Sequence, residues 1–184
     1  MSRPPDPARR ARTLARATDY VLEHGLAGLS LRPLAVALET SPRMLLYDFQ
    51  SKERLVSEIL AEARRREAAL LVERRTAPGA TEAETLRFVW QWISAEERQP
   101  FLRLFFEVYV DALTHPGKYP GGVGPMVADW LQVVRTTWPN DGVDEAFATL
   151  LIAVVRGLLL DRLGTADRRR TDDAFERFVA LLGA

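Results

Sequence analysis

Two short helices separated by a tight turn are the feature that most restricts how this sequence can fold. Ser30 is placed to cap a helix over residues 31–37, which carries a proline in its first turn, where the missing N–H is harmless. Ser41 is placed to cap the next helix, and Pro42 occupies its first position, which proline prefers. Together with a longer helix before them, these elements predict a helix-turn-helix arrangement.

The rest of the chain also has the periodicity of helices, and no segment has a convincing strand pattern. We expect Gly25 to end the first helix and Thr171 to cap the last one. The prediction is therefore an all-α fold of about nine helices, with a loop at residues 116–125. The predicted helices cover residues 10–24, 31–37, 42–49, 52–75, 81–97, 100–114, 127–137 and 141–163, and the last begins at residue 171.

Composition excludes several classes of protein. The chain has 184 residues, 47% of them hydrophobic and 27% charged, which is ordinary for a globular protein. It has no cysteine, and therefore neither disulfides, nor a cysteine metal site, nor a thiol nucleophile. The N-terminal MSRPPDPARR does not have the pattern of a signal peptide, and no apolar run is long enough to span a membrane. We expect a cytoplasmic protein with no membrane partner.

Positive charge is concentrated at the start of the chain. Residues 1–54 contain nine Lys or Arg and six Asp or Glu, so this part carries +3 and the remainder −3. A basic first part indicates an anionic partner there, and nucleic acid is the obvious one. Many solvated surfaces differ by as much, so the charge alone does not decide the matter.

The third predicted helix has one apolar face and an opposite face that carries a charged residue and an aromatic residue. Leu45 and Phe49 are four residues apart and can pack on the preceding helix. The opposite face carries Arg43 and Tyr47, with Met44 beside them. A helix that buries so little must present its other side to a partner. The major groove of DNA admits a helix, and arginine is the commonest reader of guanine there.

The stretch LSLRPLAVALETSPRMLLYDFQSKERL resembles the N-terminal signature of the TetR family of bacterial transcriptional repressors. The match covers roughly residues 9–60 and includes the capped second helix, the recognition helix ending in Phe, and the Ser-Lys-Glu start of the fourth helix. The body matches only in the number, length and order of its helices. The resemblance implies a DNA-binding head at residues 1–54, joined through a long helix to an effector-binding and dimerisation body at residues 55–184.

The same resemblance implies a set of DNA contacts. Phosphate contacts fall on hydroxyls and a cation, which bind phosphate in their own right. Base or sugar contacts fall at the start of the recognition helix, where Arg43 is the strongest candidate for direct readout, and Leu46 takes the place of an aromatic residue. The predicted DNA-binding residues are Ser30, Ser41, Tyr47 and Lys52 for phosphates, and Thr40, Pro42, Arg43, Met44 and Leu46 for bases or the flanking surface.

Two further departures from the family pattern concern Glu39 and Asp48. The turn usually carries glycine where this chain has Glu39. A carboxylate at position 48 would be repelled by phosphates, so we expect Asp48 to point sideways or to pair with a basic residue such as Arg43 or Lys52, and to tune the choice of operator. The alternative for the whole set is a solvated surface on a small helical bundle.

The N-terminal arginines form a separate group. Arg9, Arg10 and Arg12, with Arg3 before them, would add phosphate or minor-groove contacts. The alternative is a solvated tail, which suits Arg3 at least as well.

Dimerisation is predicted from the last two helices. Between Glu145 and Arg156 lie ten residues, AFATLLIAVV, with a single polar position. A helix that is apolar all round must be covered on every side, so one face would pack on its own body and another on a second copy. Ala153 and Gly157 would permit close approach, and a large monomeric core is the alternative.

The resemblance implies an effector pocket in the central helices, and their richness in aromatic residues fits an apolar or aromatic effector. Ordinary core packing is a strong alternative for each aromatic, and Arg156 would either meet an anionic ligand group or extend to solvent. Arg103, Glu107 and Asp111 are spaced by four and predict one solvated stripe with internal pairing. The predicted ligand-binding residues are Phe88, Trp92, Phe101, Phe105, Tyr109, Trp130 and Arg156.

No catalytic pattern is recognisable. His24 and His115 each precede a helix breaker and are typical of helix C-termini, and the GGVG at residues 121–124 follows no strand. We expect no enzyme activity, cofactor or metal. The sequence predicts a regulator, expected to be a repressor, that binds a palindromic operator as a dimer and is released by a small effector. The alternative is a helical adaptor with this fold that lacks operator binding.

Overall fold

The computed structural model describes residues 6–26, 29–73, 80–138 and 143–183. Within these ranges the chain forms nine α-helices and no strand, so the predicted all-α fold is confirmed. The helices are α1 (Pro7–His24), α2 (Leu31–Ala37), α3 (Pro42–Phe49), α4 (Lys52–Glu73), α5 (Glu82–Ile93), α6 (Gln99–Thr114), α7 (Gly124–Thr137), α8 (Glu145–Thr165) and α9 (Arg168–Leu182). None of them is both long and apolar enough to cross a lipid bilayer.

The described residues divide into two compact units. The first comprises Met1–Arg66 and Arg103–Gly124, and the second comprises Glu67–Leu102 and Pro125–Ala184. Helices α4 and α6 therefore each contribute to both units. The boundary at residue 54 that the resemblance implies concerns function, and it stays a prediction.

The first unit is built around a three-helix head in which α2 packs against both α1 and α3. Val21, Leu34, Leu45 and Phe49 are all buried in its core, and α4 adds Ile59. Asp6 starts α1 by accepting a hydrogen bond from Ala8 N, and Gly25 ends it at a φ of 75°, as the sequence predicted. A short α3 is therefore anchored by packing against its neighbours.

The turn between α2 and α3 has a left-handed residue at its centre. Glu39 has a φ of 54°, and its N–H donates to Val36 O at 3.1 Å. Thr40 N donates to Ala35 O at 2.9 Å, which completes the pair of bonds that ends many helices. Glycine is the favoured residue in this conformation, which explains why the family pattern has glycine here.

In the second unit α9 packs against α5 and α8. The rings of Trp90 and Phe175 are stacked with their centroids 4.6 Å apart. Trp90 Nε1 donates to Asp172 Oδ1 at 2.8 Å, and Arg162 donates to the same oxygen at 2.6 Å. The buried indole N–H is thus satisfied across two helices.

Several predicted helix boundaries are wrong. Helix α7 begins at Gly124, inside the predicted loop at residues 116–125, and α8 begins at Glu145, after Asp144, which caps it by accepting from Phe147 N at 2.7 Å. The helix predicted over residues 81–97 ends at Ile93, because Ala95 is extended and a separate 3₁₀ turn follows over Glu96–Arg98. Thr171 does not cap α9, because Asp167 does so by accepting from Arg170 N at 3.1 Å. The Thr171 side chain is instead buried inside the helix.

Candidate nucleic-acid interface

Helix α3 is held from one side and exposed on the other. Ser41 Oγ caps it by accepting from Met44 N at 3.2 Å, with Pro42 at its first position. Leu45 and Phe49 are each 1% exposed. Leu46 and Tyr47, in contrast, are 41% and 44% exposed. The fold therefore offers one face of α3 to a partner.

The predicted DNA-binding residues lie on α3 and at the starts of its neighbours. Arg43, Leu46 and Tyr47 are exposed on α3, whereas Pro42 and Met44 are half-buried. Thr40 is half-buried in the turn before α3, Ser41 and Lys52 are exposed at helix starts, and Ser30 is exposed before α2. These positions are a prediction that the structure alone does not test.

Ser30 differs from Ser41 in one respect. It occupies the N-cap position of α2 with extended backbone, but its side chain makes no capping hydrogen bond. An exposed hydroxyl that does not cap its own helix is available to a phosphate. Ser30 therefore holds the predicted N-cap position but leaves its hydroxyl unused for capping.

Ion pairing separates the cations of the first unit into two groups. In the structural group each arginine contacts a carboxylate. These pairs include Arg9–Asp48, Arg10–Glu58, Arg16–Glu39, Arg54–Glu58, Arg65–Glu62 and Arg66–Asp19. Within the described ranges, no acidic side chain pairs with the exposed Arg12, Arg32, Arg43 or Lys52. The positive excess of this part of the chain is thus carried by groups that remain available to an anionic partner.

Asp48 has a different partner from those predicted. Its carboxylate accepts from Arg9 Nη1 at 2.8 Å and from Arg9 Nη2 at 2.6 Å. Pairing with Arg43 or Lys52 is therefore wrong, because Asp48 lies on the buried face of α3 with its side chain only 1% exposed. Arg9 and Arg10 are correspondingly engaged within the head, and Arg3 lies outside the described residues.

Sequence reasoning missed two exposed residues on α2. Arg32 is exposed, and Val36 is 78% exposed. They are four residues apart on the face opposite the buried Leu34, just as Arg43 and Tyr47 lie opposite Leu45. The helical wheel that was applied to the third helix would have found them on the second. Both residues belong to the candidate interface.

The carboxylates of α6 are engaged separately. Glu107 Oε2 accepts from Leu26 N at 2.9 Å, which ties α6 to the residues that follow α1. Asp111 accepts from Lys118 Nζ at 2.6 Å and from the Tyr119 hydroxyl. The predicted internal pairing of the stripe at positions 103, 107 and 111 is therefore wrong.

These contacts at Asp111 also set two pKa values. The hydrogen bonds from Lys118 and Tyr119 hold the pKa of Asp111 below its ordinary value. Burial, together with the hydrogen bond to Asp111, raises the pKa of the Tyr119 hydroxyl. Both groups thus keep their usual charge at neutral pH. Among the residues that the structure describes, no cluster of three metal-ligating side chains occurs.

The predicted ligand-binding residues divide between the two units. Phe105 and Tyr109 belong to the first unit, and their ring centroids are 5.9 Å apart. In the second unit the rings of Phe101 and Trp130 are 6.2 Å apart. The other three, also in the second unit, are Phe88, Trp92 and Arg156.

The burial of some of these predicted ligand-binding residues favours ordinary core packing over ligand contact. Trp92, Phe101 and Phe105 are buried, whereas Phe88 and Trp130 are half-buried. Arg156 is half-buried, and its Nη2 donates to Met126 O at 3.4 Å. The assignment of these residues to an effector site stays a prediction.

Helices α8 and α9 expose apolar side chains. Leu150, Leu160 and Leu181 are 49%, 52% and 62% exposed. Ala153 and Gly157 are exposed between them on α8. Such positions on an apolar helix suit a surface that is covered by another chain.

An anchored recognition helix with free cations around it defines a helix-turn-helix protein of the DNA-binding type. Several solved structures resemble the whole chain. The multidrug binding protein EbrR in complex with ethidium is 26% identical, with 96% of this chain and 99% of that chain covered and a TM-score of 0.74. A member of the TetR family from Streptomyces coelicolor A3, SCO1917, is 25% identical, with 95% and 98% covered and a TM-score of 0.69.

A TetR transcriptional regulator from Legionella pneumophila has the same fold at 18% identity, with 98% of this chain and 99% of that chain covered and a TM-score of 0.66. No protein-family model matches the chain, and no curated protein matches it significantly. The chain has the fold of the TetR family of transcriptional regulators, and the resemblance extends from the head to about 95% of the sequence.

Proposed function

We propose that this chain is a cytoplasmic, sequence-specific DNA-binding regulator, a repressor that a small effector releases from its operator. The observation that supports this most is the sorting of charge around α3. The arginines that pair with carboxylates hold the head together, whereas Arg32, Arg43 and Lys52 are exposed without an acidic partner among the described residues. Phosphate and guanine are the partners that such cations prefer.

In this proposal α3 enters the major groove. Arg43 reads a guanine, because a guanidinium can donate two hydrogen bonds to its O6 and N7. Leu46 and Val36 supply apolar contact, for which the thymine methyl group is the natural target. Ser30, Ser41 and Lys52 hold the phosphate backbone and so fix the register of the reading helix.

Operator recognition requires two heads. Two copies joined through α8 and α9 would place their recognition helices in successive major grooves, about 34–36 Å apart. The operator is then a palindrome with half-sites about one helical turn apart. The exposed Leu150, Leu160 and Leu181 support this pairing surface.

The effector is proposed to be an aromatic or apolar small molecule. Support comes from the aromatic side chains of α5 to α7, and from EbrR, which has been solved with ethidium, malachite green and proflavin, all of them aromatic molecules. A ligand that binds one arrangement of the dimer more tightly shifts the population toward it. Release follows if that arrangement does not fit the operator.

Selection of bound sequences from random duplex DNA tests the proposal. We expect a palindromic sequence to be enriched, and its binding to weaken steeply with salt. The Arg43→Ala variant should lose about 1–3 kcal/mol of binding and relax the preference at one position of each half-site. Arg103→Ala, which removes an exposed cation from α6, outside the proposed DNA-binding and pairing surfaces, is the matched control and should bind as the wild type does.

Enrichment of no sequence would refute operator binding and favour the adaptor alternative. The selected operator then allows effectors to be screened. Aromatic ligands that dissociate the complex would support repression with release, whereas ligands that strengthen it would indicate the opposite sign of control.

A further inference from the structure

We infer that Arg9 and Asp48 form a positioning pair that fixes the recognition helix on α1 and thereby determines how accurately the helix reads bases. This inference rests on the proposed DNA binding. It assigns specificity to two residues that do not themselves touch DNA.

The pair has the geometry of a strong interaction. Both guanidinium terminal nitrogens of Arg9 donate to the two carboxylate oxygens of Asp48, at 2.8 Å and 2.6 Å. The Asp48 side chain is 1% exposed, and that of Arg9 is 33% exposed. A bidentate pair fixes orientation as well as distance. Removal of one partner would leave an uncompensated buried charge, which is strongly unfavourable.

Arg10 strengthens the same connection through the backbone. Its Nε donates to the carbonyl oxygen of Asp48 at 3.0 Å. That carbonyl belongs to the last turn of α3, where carbonyls lack partners within the helix. Arg10 also lies over the Phe49 ring at 4.7 Å and donates to Glu58 of α4. Consecutive arginines of α1 therefore hold the C-terminal end of α3 through the side chain of Asp48, its backbone carbonyl and the ring of Phe49.

The pairing also explains how an acidic residue is tolerated on a helix that faces DNA. Asp48 shares the buried face with Leu45 and Phe49, away from Arg43. Arg9 neutralises its charge locally, so repulsion of phosphates is reduced. Asp48 therefore orients α3 and does not contact the operator.

Positioning affects base reading more than it affects backbone binding. A base contact needs its side chain within about 0.5 Å and 10–20° of the right geometry. Electrostatic attraction to phosphates tolerates larger shifts, because it depends mainly on charge and distance. Loss of the pair would therefore reduce specific binding while non-specific binding persists.

The test compares affinities for the selected operator and for unrelated DNA over a range of salt concentrations. Asp48→Asn keeps the shape and removes the charge, and Arg9→Lys keeps the charge and removes the bidentate fork. We expect each to weaken operator binding by about tenfold or more, as loss of a base contact does. Non-specific affinity and the salt slope should stay at the wild-type values.

Two controls separate positioning from other causes. Lys52→Ala removes a proposed phosphate contact, so it should weaken binding to all sequences and reduce the salt slope by about 1. The exchange variant Arg9→Asp/Asp48→Arg restores an ion pair in reverse and should recover operator affinity relative to either single exchange. Circular dichroism at the assay temperature establishes that each variant is folded.

The outcomes are distinct from those that concern the function itself. Absence of sequence-specific binding by the wild type would refute the proposed function. If the wild type binds its operator and folded Asp48→Asn binds it equally well, the positioning role is refuted. A parallel fall in specific and non-specific affinity, or a lower salt slope, would also overturn it, because that pattern belongs to a direct phosphate contact.

Discussion

Glu39 occupies a backbone conformation that suits glycine better than any other residue. Its φ of 54° lies in the left-handed region, where a Cβ costs about 1–2 kcal/mol. Glu39→Gly and Glu39→Ala both lose the exposed ion pair with Arg16, which contributes little. We therefore expect the free energy of unfolding of Glu39→Gly to be about 1 kcal/mol higher than that of Glu39→Ala, as measured by urea denaturation.

Ala166 provides an independent control for this effect. It ends α8 at a φ of 57°, also in the left-handed region. The free energy of unfolding of Ala166→Gly should exceed that of the wild type by a similar amount. Equal stabilities for the two Glu39 variants would show that this turn relaxes out of the left-handed conformation.

The contacts of Asp111 should make the stability of the fold depend on pH. Hydrogen bonds from Lys118 and Tyr119 lower the pKa of its carboxyl in the folded state relative to the unfolded chain. A group of this kind contributes stability above the unfolded pKa, about 4, and this contribution is lost as the pH falls through the folded value. Asp111→Asn should therefore be less stable than the wild type at pH 7, and this difference should shrink below about pH 4.

Tyr119→Phe is the matched variant for that measurement. It keeps the buried ring and removes one of the donors to Asp111. The pH-dependent part of the stability should decrease without disappearing, since Lys118 remains. A difference between wild type and Asp111→Asn that is constant from pH 7 to pH 3 would contradict the assignment.

Residue roles were predictable from the sequence where they depend on the residue's own helix. The wheel of α3 placed Leu45 and Phe49 inside and Arg43 and Tyr47 outside, as observed. It failed for Asp48, whose partner is 39 positions away on α1. Periodicity describes faces and neighbours within a helix, whereas a buried ion pair between helices depends on packing.

At the scale of the helices, the serines at the N-cap positions of α2 and α3 should contribute to stability by different amounts. Ser41 accepts a hydrogen bond from Met44 N and caps α3, whereas Ser30 makes no such bond for α2. Ser41→Ala should lower the free energy of unfolding by about 1 kcal/mol, and Ser30→Ala should change it by much less. Thermal or urea unfolding of the two variants measures this directly.

Operator binding tests the proposed role of Ser30 separately from stability. Ser30→Ala should weaken DNA binding despite its unchanged stability, because its hydroxyl is the proposed phosphate donor. Should Ser30→Ala be as destabilising as Ser41→Ala, the hydroxyl caps α2 in solution and the phosphate assignment loses its support.

Helix existence was easier to predict than helix ends. Gly25 marked the end of α1, and Ser30, Ser41 and Pro42 marked the starts of α2 and α3, where the local signal is strong. The break after Ile93 carries no proline or glycine, so the pattern continued through it. The start of α9 was misplaced because Asp167 and Thr171 are both good capping residues, and burial of Thr171 decided between them.

At the scale of the whole molecule, the net charge does not reveal how charge is distributed along the chain. The chain is formally neutral, and its first 54 residues carry +3. Pairing of four of these cations (Arg9, Arg10, Arg16 and Arg54) with carboxylates leaves exposed cations on α1, α2 and α3 and at the start of α4. The sequence could predict the excess, but only the fold identifies which cations remain available.

A substitution at Gly157 can test whether two chains associate through α8. A Cβ at this position would meet nothing within 4 Å in the isolated chain. In a monomer, Gly157→Leu would therefore be accommodated, and α8 would gain about 0.8–1 kcal/mol from the loss of glycine. In a dimer that approaches closely at this glycine, the added side chain would overpack the interface at a cost of about 1–3 kcal/mol.

We expect Gly157→Leu to weaken association by about tenfold or more, measured by sedimentation or light scattering across micromolar concentrations. Gly164→Leu is the matched control, because Gly164 also lies on α8 with nothing within 4 Å of its Cβ position. A selective effect at position 157 would place the close approach of the two chains at the middle of α8, beside the exposed Ala153. A wild type that is monomeric at these concentrations would remove the paired heads on which recognition of a palindrome depends.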